Sequence, residues 1–245
     1  SKIKNFKIDY VVNLGGYVDH SNKIKTFSSH FIGAKNLFYF FKNKNIKKFV
    51  QIGSSAEYGR LKSPQREKSK CNPKLIYGQA KYKGTVFLKK QFKKYNFPVT
   101  ILRLYQVYGP KQDINRFIPI AIKACKYGKK FPCSDGIQKR DFTYIQDVVD
   151  AIILTLKDKK SYGEIINIGS GKTIKLKDII FKIIKIFKSG EPMFGMIKMR
   201  KDEIIDIKPD IKKAKLFLNW KPKISFDEGL NKTIKYYKNK KIKIY

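Results

Sequence analysis

"KFVQIGSS" (residues 48–55) decides how this chain of 245 residues is read. An apolar run this short, closed by small hydroxyl residues, fits a strand buried on both faces of a parallel sheet. Two further runs share its texture: "DYVVNLGG" (9–16), which ends in two glycines, and "FPVTILRLY" (97–105). Between the first two, residues 25–43 read as a helix with Phe31, Leu37, Phe38 and Phe41 turned inward. After a polar loop with two prolines, residues 75–95 read as a helix whose face runs Tyr77, Lys81, Gly84, Leu88. Strand, helix, strand, helix, strand predicts an α/β fold built on a doubly wound parallel sheet. Ligands of such sheets bind beyond the carboxyl ends of the strands. Those ends carry Asn13-Leu14-Gly15-Gly16, Ser54-Ser55 and Tyr105-Gln106, and the helix with Tyr77 starts beside the second.

Past residue 110 the texture changes. Helices are predicted at 117–126, 145–157, 176–187 and 211–218, with short strands in "DFTYI" and "EIINIG" between them. The third helix has the clearest period, through Leu176, Ile179, Ile180, Ile183, Ile184 and Phe187. Residues 239–245 form a basic tail, expected to fray.

Composition narrows the function classes. The chain is long enough to bury a core, and 42% of its residues are apolar. No apolar run approaches the ~18 residues of a membrane span, and "SKIKNFKIDY" lacks the apolar stretch of a signal peptide. Cys71, Cys125 and Cys133 show no C-x-x-C spacing, which predicts reduced thiols in a cytoplasmic protein. His20 and His30 have no metal-ligand partners nearby in sequence, so no metal site is predicted. A net charge of +36 raises the possibility of a nucleic-acid partner. Against it, lysine is spread over every segment, and arginine is limited to Arg60, Arg66, Arg103, Arg116, Arg140 and Arg200. Readers of nucleic acid concentrate arginine for its bidentate fork, whereas this Lys, Ile, Asn, Phe and Tyr excess matches A/T-rich coding.

Tyr77 and Lys81 stand one helical turn apart on one face. A phenol with pKa near 10 is a poor base at pH 7. A nearby ammonium favours the phenolate, so the pair is a candidate proton-transfer device. In so lysine-rich a chain it is equally a solvated helix face.

An ordered series of motifs shifts that balance. "DYVVNLGG", "HFIGAKNL", "SSAEYG", "YGQAK", "RLYQVYGP", "KRDFTYIQDVVDAI", "NIGSG" and "RKDEIIDIKPDIKKAKLFLNWKP" run from Asp9 to the C-terminal region in this order. The series resembles the NAD-dependent epimerase/dehydratase family, extended short-chain dehydrogenase/reductases that act on nucleotide sugars. The resemblance implies a Rossmann-like fold. It divides the chain into a partial dinucleotide-binding domain (1–110), whose elements interleave with the later chain, and a smaller C-terminal α/β lobe (111–238), mainly substrate-binding. It implies that Tyr77 is the catalytic acid/base, that Lys81 holds the nicotinamide ribose and depresses the Tyr77 pKa, and that Ser54, 23 positions earlier, bonds the same sugar oxygen. Leu14, Gly15, Gly16 and Tyr105 would lie along NAD or NADP. Gln106, Arg140 and Arg200 would meet a nucleotide-diphosphate sugar, with the two arginines on its diphosphate.

The departures refine this. Family 4,6-dehydratases carry an Asp-Glu pair directly after the serine or threonine, and here those places hold Ser55 and Ala56. Without that acid and base, the resemblance implies a 4-keto-6-deoxyhexose reductase or a 4-epimerase, leaning to the reductase. Gln106 and His30 each replace a usual asparagine, and Glu57 is left without a role. The family's first β-α-β unit, with its glycine-rich turn, is not found upstream of Asp9. The chain as given is therefore expected to lack that unit, to leave "DYVVNL" as a sheet edge and to bind cofactor weakly. The resemblance further implies a homodimer when complete. The alternatives are an inactive sugar-nucleotide-binding relic, a 4,6-dehydratase and a basic nucleic-acid binder.

Overall fold

Four parallel strands form the main sheet in a computed structural model that describes residues 7–19, 21–199 and 203–240. Strands β1 (Tyr10–Asn13), β2 (Lys48–Ser54) and β3 (Val99–Leu104) come from the three apolar runs. Between β1 and β2 run α1 (Lys23–Phe27), a π-turn (Ser28–Ile32) and α2 (Gly33–Phe41), where the sequence predicts one helix. A one-turn 3₁₀ helix (Ser55–Tyr58) and α3 (Ile76–Tyr95) follow β2.

The second half of the chain alternates short strands and helices. In order these are β4 (Gln106–Tyr108), α4 (Phe117–Lys126), β5 (Lys130–Pro132), β6 (Lys139–Arg140), β7 (Phe142–Tyr144) and α5 (Ile145–Lys157). Then come β8 (Ile165–Ile168), β9 (Ile174–Lys175), α6 (Leu176–Phe187), β10 (Glu191–Met193), β11 (Asp206–Ile207), α7 (Lys212–Leu218) and α8 (Phe226–Lys238). The main sheet has the order β1-β2-β3-β8, so β8 completes a sheet begun far earlier in the chain. Among the described residues β1 is one edge of it.

Side chains alternate across these strands, and both faces are covered. On one face Phe49, Val99 and Ile101 pack against Phe38 and Phe41 of α2 and Leu88 of α3. On the other, Val50, Ile52, Leu102 and Ile166 pack against Val148 and Ala151 of α5, Ala214 and Leu218 of α7, and Trp220. A third core joins α4, α6 and α8 to Tyr108, Phe142 and Tyr144. None of the described helices is long and apolar enough to cross a membrane.

Helix α8 is missed by the sequence reading, because lysines and other polar residues interrupt the buried stripe of Leu230, Ile234 and Tyr237. Its start is nevertheless written in "SFDE": the Ser225 hydroxyl accepts the Glu228 N–H, and Asp227 and Glu228 lie in the first turn. At its other end, the Lys126 ammonium donates to the carbonyls of Tyr237, Lys238 and Lys240. The predicted tail is thus gripped as far as Lys240, and residues 241–245 lie outside the described residues.

Among the described residues, one lysine is fully buried. Lys48 is 0% exposed, donates to the Asp158 carbonyl at 2.7 Å and the Ser161 hydroxyl at 2.8 Å, and stands 4.0 Å from the Tyr162 ring centre. It ties the start of β2 to the loop between α5 and β8. Burial lowers its pKa from 10.5 to about 8, against an opposing pull from Asp158. Between those values the unfolded chain holds a proton that the folded one has released, so this group's contribution to stability rises with pH across that window. The stability difference between wild type and Lys48→Met, from urea unfolding, should therefore grow in favour of wild type from pH 8 to pH 10. A difference independent of pH would refute the assignment.

Candidate active site

Ser54 closes β2 in extended geometry and turns the chain into the 3₁₀ helix. Its hydroxyl accepts the Ala56 N–H at 3.2 Å, and its own N–H donates to Glu57 Oε1 at 2.9 Å. Glu57 is 0% exposed, and its other oxygen accepts Arg103 Nε at 2.9 Å and Nη2 at 2.8 Å. The residue left without a role in the sequence therefore acts as a strut between β3 and the turn after β2.

That turn seats the next helix. A side chain at Gly78 would bring its Cβ to 2.5 Å from the Ala56 carbonyl oxygen, so only glycine lets the first turn of α3 come this close. The preceding residue, Tyr77, is thereby delivered to Ser54, and their side chains hydrogen-bond. Lys81, one turn on, is buried at 6% exposure and donates to the Ile52 carbonyl at 2.7 Å. Its nitrogen lies 6.0 Å from the Tyr77 ring centre.

The pair is close, as the spacing predicts, but its electrostatics differ from the expectation. Burial pushes the Tyr77 phenol above its ordinary pKa. The Ser54 hydrogen bond and the Arg116 charge act in the opposite direction, while Glu57 adds to the rise. Burial also pulls Lys81 down to about 8, with Glu57 opposing. Desolvation outweighs proximity because the ammonium is aimed at a backbone carbonyl. Arg116, just before α4, is a contributor that sequence reasoning missed; its one signal was being a rare arginine at a loop–helix junction.

His30 sits in the π-turn, edge-on to Tyr77, with ring centres 5.0 Å apart and Nε2 3.1 Å from the Tyr17 carbonyl oxygen. A Cβ on Gly16 would lie 1.9 Å from this imidazole. The glycine's small size thus serves His30, a reason distinct from the cofactor approach that the resemblance implies. Gly15 donates its N–H to the Asn13 side chain, and Leu14 is 70% exposed at the end of β1.

Ser54 and Tyr77 line a cavity of about 420 Å³, with Tyr105, Gln106 and Arg116 on its wall and, among the described residues, no Asp or Glu in its lining. The Tyr105 hydroxyl is turned away, donating to Gln65 at 2.9 Å. Arg140 is not brought to this group. It is buried, donates to the carbonyls of Lys139 and Ile205, and pairs with Glu203. Arg200 lies outside the described residues. The donor set of one phenol, one hydroxyl and one ammonium at strand carboxyl ends fits the ribose and nicotinamide end of NAD. No glycine-rich phosphate turn joins it among the described residues.

Comparison with known proteins agrees with this geometry. The profile of the NAD dependent epimerase/dehydratase family matches residues 1–169. A putative UDP-glucose 4-epimerase of Methanocaldococcus jannaschii is 33% identical over 96% of this chain and 79% of its own length. Human dTDP-D-glucose 4,6-dehydratase is 32% identical over 79% of this chain, which spans 57% of that protein. The solved UDP-glucuronic acid 4-epimerase from Bacillus cereus, in complex with UDP-glucuronic acid and NAD, superposes with a TM-score of 0.88. It shares 30% identity over 94% of this chain and 76% of its own.

Replacing Glu57 by Gln keeps the shape and removes the charge that Arg103 needs. Breaking one side of a buried pair costs about 3–5 kcal/mol, so Glu57→Gln should lower stability by that order in urea unfolding. A loss below about 1 kcal/mol, the scale of a surface pair, would show that the strut carries little.

Proposed function

Because the chain belongs to the NAD dependent epimerase/dehydratase family, we propose that it acts as a nucleotide-sugar 4-epimerase, or as the larger part of one. The observation that carries this reading is the Ser54–Tyr77 hydrogen bond at a cavity whose lining, among the described residues, holds no carboxylate. Loss of water at C5 and C6 needs an acid and a base besides the tyrosine. Glu57, the carboxylate nearest Ser54 in sequence, is consumed by Arg103 and the Ser54 N–H. Chemistry at C4 alone needs one proton carrier, and Tyr77 with Ser54 supplies it.

In this reading, Tyr77 acts first as a base: its phenolate takes the C4 hydroxyl proton as the C4 hydride leaves, and the phenol so formed gives that proton back when the hydride returns; burial, which raises the Tyr77 pKa, opposes the phenolate. The Ser54 hydroxyl bonds the same oxygen and steadies the phenolate when the proton leaves. Arg116 favours that phenolate through its charge. Lys81 would hold the ribose hydroxyls, exchanging its bond to Ile52 for one to the sugar. NAD, when bound, supplies the acceptor that takes the C4 hydride and returns it. Tyr105 and Gln106 would border the nicotinamide and the hexose. Arg140 and Arg200 would meet the diphosphate, Arg140 by trading Glu203 for phosphate oxygens.

Tyr77→Phe should lower turnover by about 10²–10⁴-fold while leaving nucleotide-sugar affinity, read by calorimetry, nearly unchanged. Wild-type turnover in that variant would sink the assignment. The product separates the reactions. An epimerase returns a sugar of unchanged mass with no net change in reduced cofactor. A reductase consumes reduced cofactor stoichiometrically, and a dehydratase product is lighter by one water.

A further inference from the structure

A second cavity, of about 630 Å³, opens between α3, the 67–71 loop and the β3–β8 edge of the sheet. It shares no lining residue with the cavity at Tyr77. Lys68, Lys70, Lys89, Lys90 and Lys93 line it, and Arg103 forms part of its floor. One carboxylate, Glu67, is present, and its Oε1 accepts the Asn167 N–H.

In so basic a chain, surface lysines alone mean little. Two buried donors say more. Arg103 is 1% exposed, and its Nη1 has no hydrogen-bond partner among the described residues. The Cys71 thiol, a weak acceptor, and Tyr58, whose ring centre is 4.5 Å from the guanidinium carbon, lie against it. Thr85 is 2% exposed, and its hydroxyl is likewise without a partner. Both residues line the cavity. Buried polar groups are nearly always satisfied, so two such donors on the wall of one basic cavity call for an acceptor inside it. Lys89 is consistent with this: burial lowers its pKa, Glu164 acts against that, and the charges of Lys213, Lys93 and Arg103 add to the lowering. An anion would relieve that repulsion.

We propose that this cavity binds a phosphorylated organic anion of nucleotide size, held through its phosphates by the α3 lysines, Arg103 Nη1 and the Thr85 hydroxyl. Ammonium and guanidinium groups in one pocket suit phosphate oxygens. The volume is within the usual range for small-molecule sites, ~300–1,000 Å³, and exceeds what inorganic phosphate needs. Tyr82 and Val86 give it an apolar wall for the organic part.

The test uses the full chain with pyrophosphate and ADP as probes and two charge-matched double variants. One is Lys89→Gln with Lys93→Gln in the cavity. The other is Lys185→Gln with Lys235→Gln, exposed on α6 and α8. In wild type, both probes should slow acylation of Lys70, Lys89, Lys90 and Lys93, read by mass spectrometry, relative to Lys185 and Lys235. ADP should protect at a lower concentration than pyrophosphate. In the cavity variant the concentration of ADP that protects Lys70 and Lys90 should rise by about tenfold or more, and in the control variant it should not move. Absent protection, uniform protection of all lysines, or equal shifts in both variants would overturn the site. Pyrophosphate protecting as well as ADP would overturn the organic occupant.

Discussion

The Arg103–Glu57 ion pair is the contact on which the rest of the site hangs. Both partners are withdrawn from water, Arg103 at 1% exposure and Glu57 at 0%. Withdrawing two charges costs free energy that only good geometry recovers. Here the geometry is good, since one carboxylate oxygen takes two guanidinium nitrogens and the other takes the Ser54 N–H. The consequence is positional. Strand β3 fixes Arg103, Arg103 fixes Glu57, and Glu57 fixes the turn that ends β2. That turn presents the Ala56 carbonyl to Gly78 and so sets where α3 begins. Tyr77 meets Ser54 at the end of this relay.

The charge of the chain divides along the same line. Most lysines are solvated and carry no positional information. A few are matched to particular acceptors: Lys48 to a loop carbonyl and hydroxyl, Lys81 to the Ile52 carbonyl, and Lys126 to the end of α8. Each bridges elements far apart in sequence, and the first two have pKa values pulled down by burial. A high lysine content therefore coexists with a conventional core, because the buried minority is held as specifically as any polar group.

What the sequence made legible follows from the range of the physics involved. Strands buried on both faces announce themselves as apolar runs, and β2 and β3 lie within 48–55 and 97–105. Helices with a strong apolar stripe did too, so α4, α5 and α6 match the predicted 117–126, 145–157 and 176–187. The approach of Tyr77 to Lys81 was legible as one helical turn. The direction of the Lys81 ammonium was not, since its acceptor lies 29 residues upstream. Glu57 was opaque for the same reason, its partner being 46 residues away. The packing of the His30 ring against Gly16 was opaque too, since the two lie on separate elements.

Acidic residues are the scarce resource here, 19 against 55 basic ones, and their placement is correspondingly informative. Asp147 accepts the N–H groups of Lys223 and Ile224 and so docks the segment leading into α8. Asp141 accepts the Ser170 N–H and holds the turn after β8; burial raises its pKa to about 6. Asp158 accepts the Ser161 N–H, beside the Lys48 contact. Glu57 completes the pattern: these buried or half-buried acids hold backbone donors in place. Among the described residues the lining of the cavity at Tyr77 holds none, and its charge is that of Lys111 and Arg116. Taking a proton from a sugar hydroxyl requires the phenolate of Tyr77, and a cation beside it, as Arg116 is, favours that form.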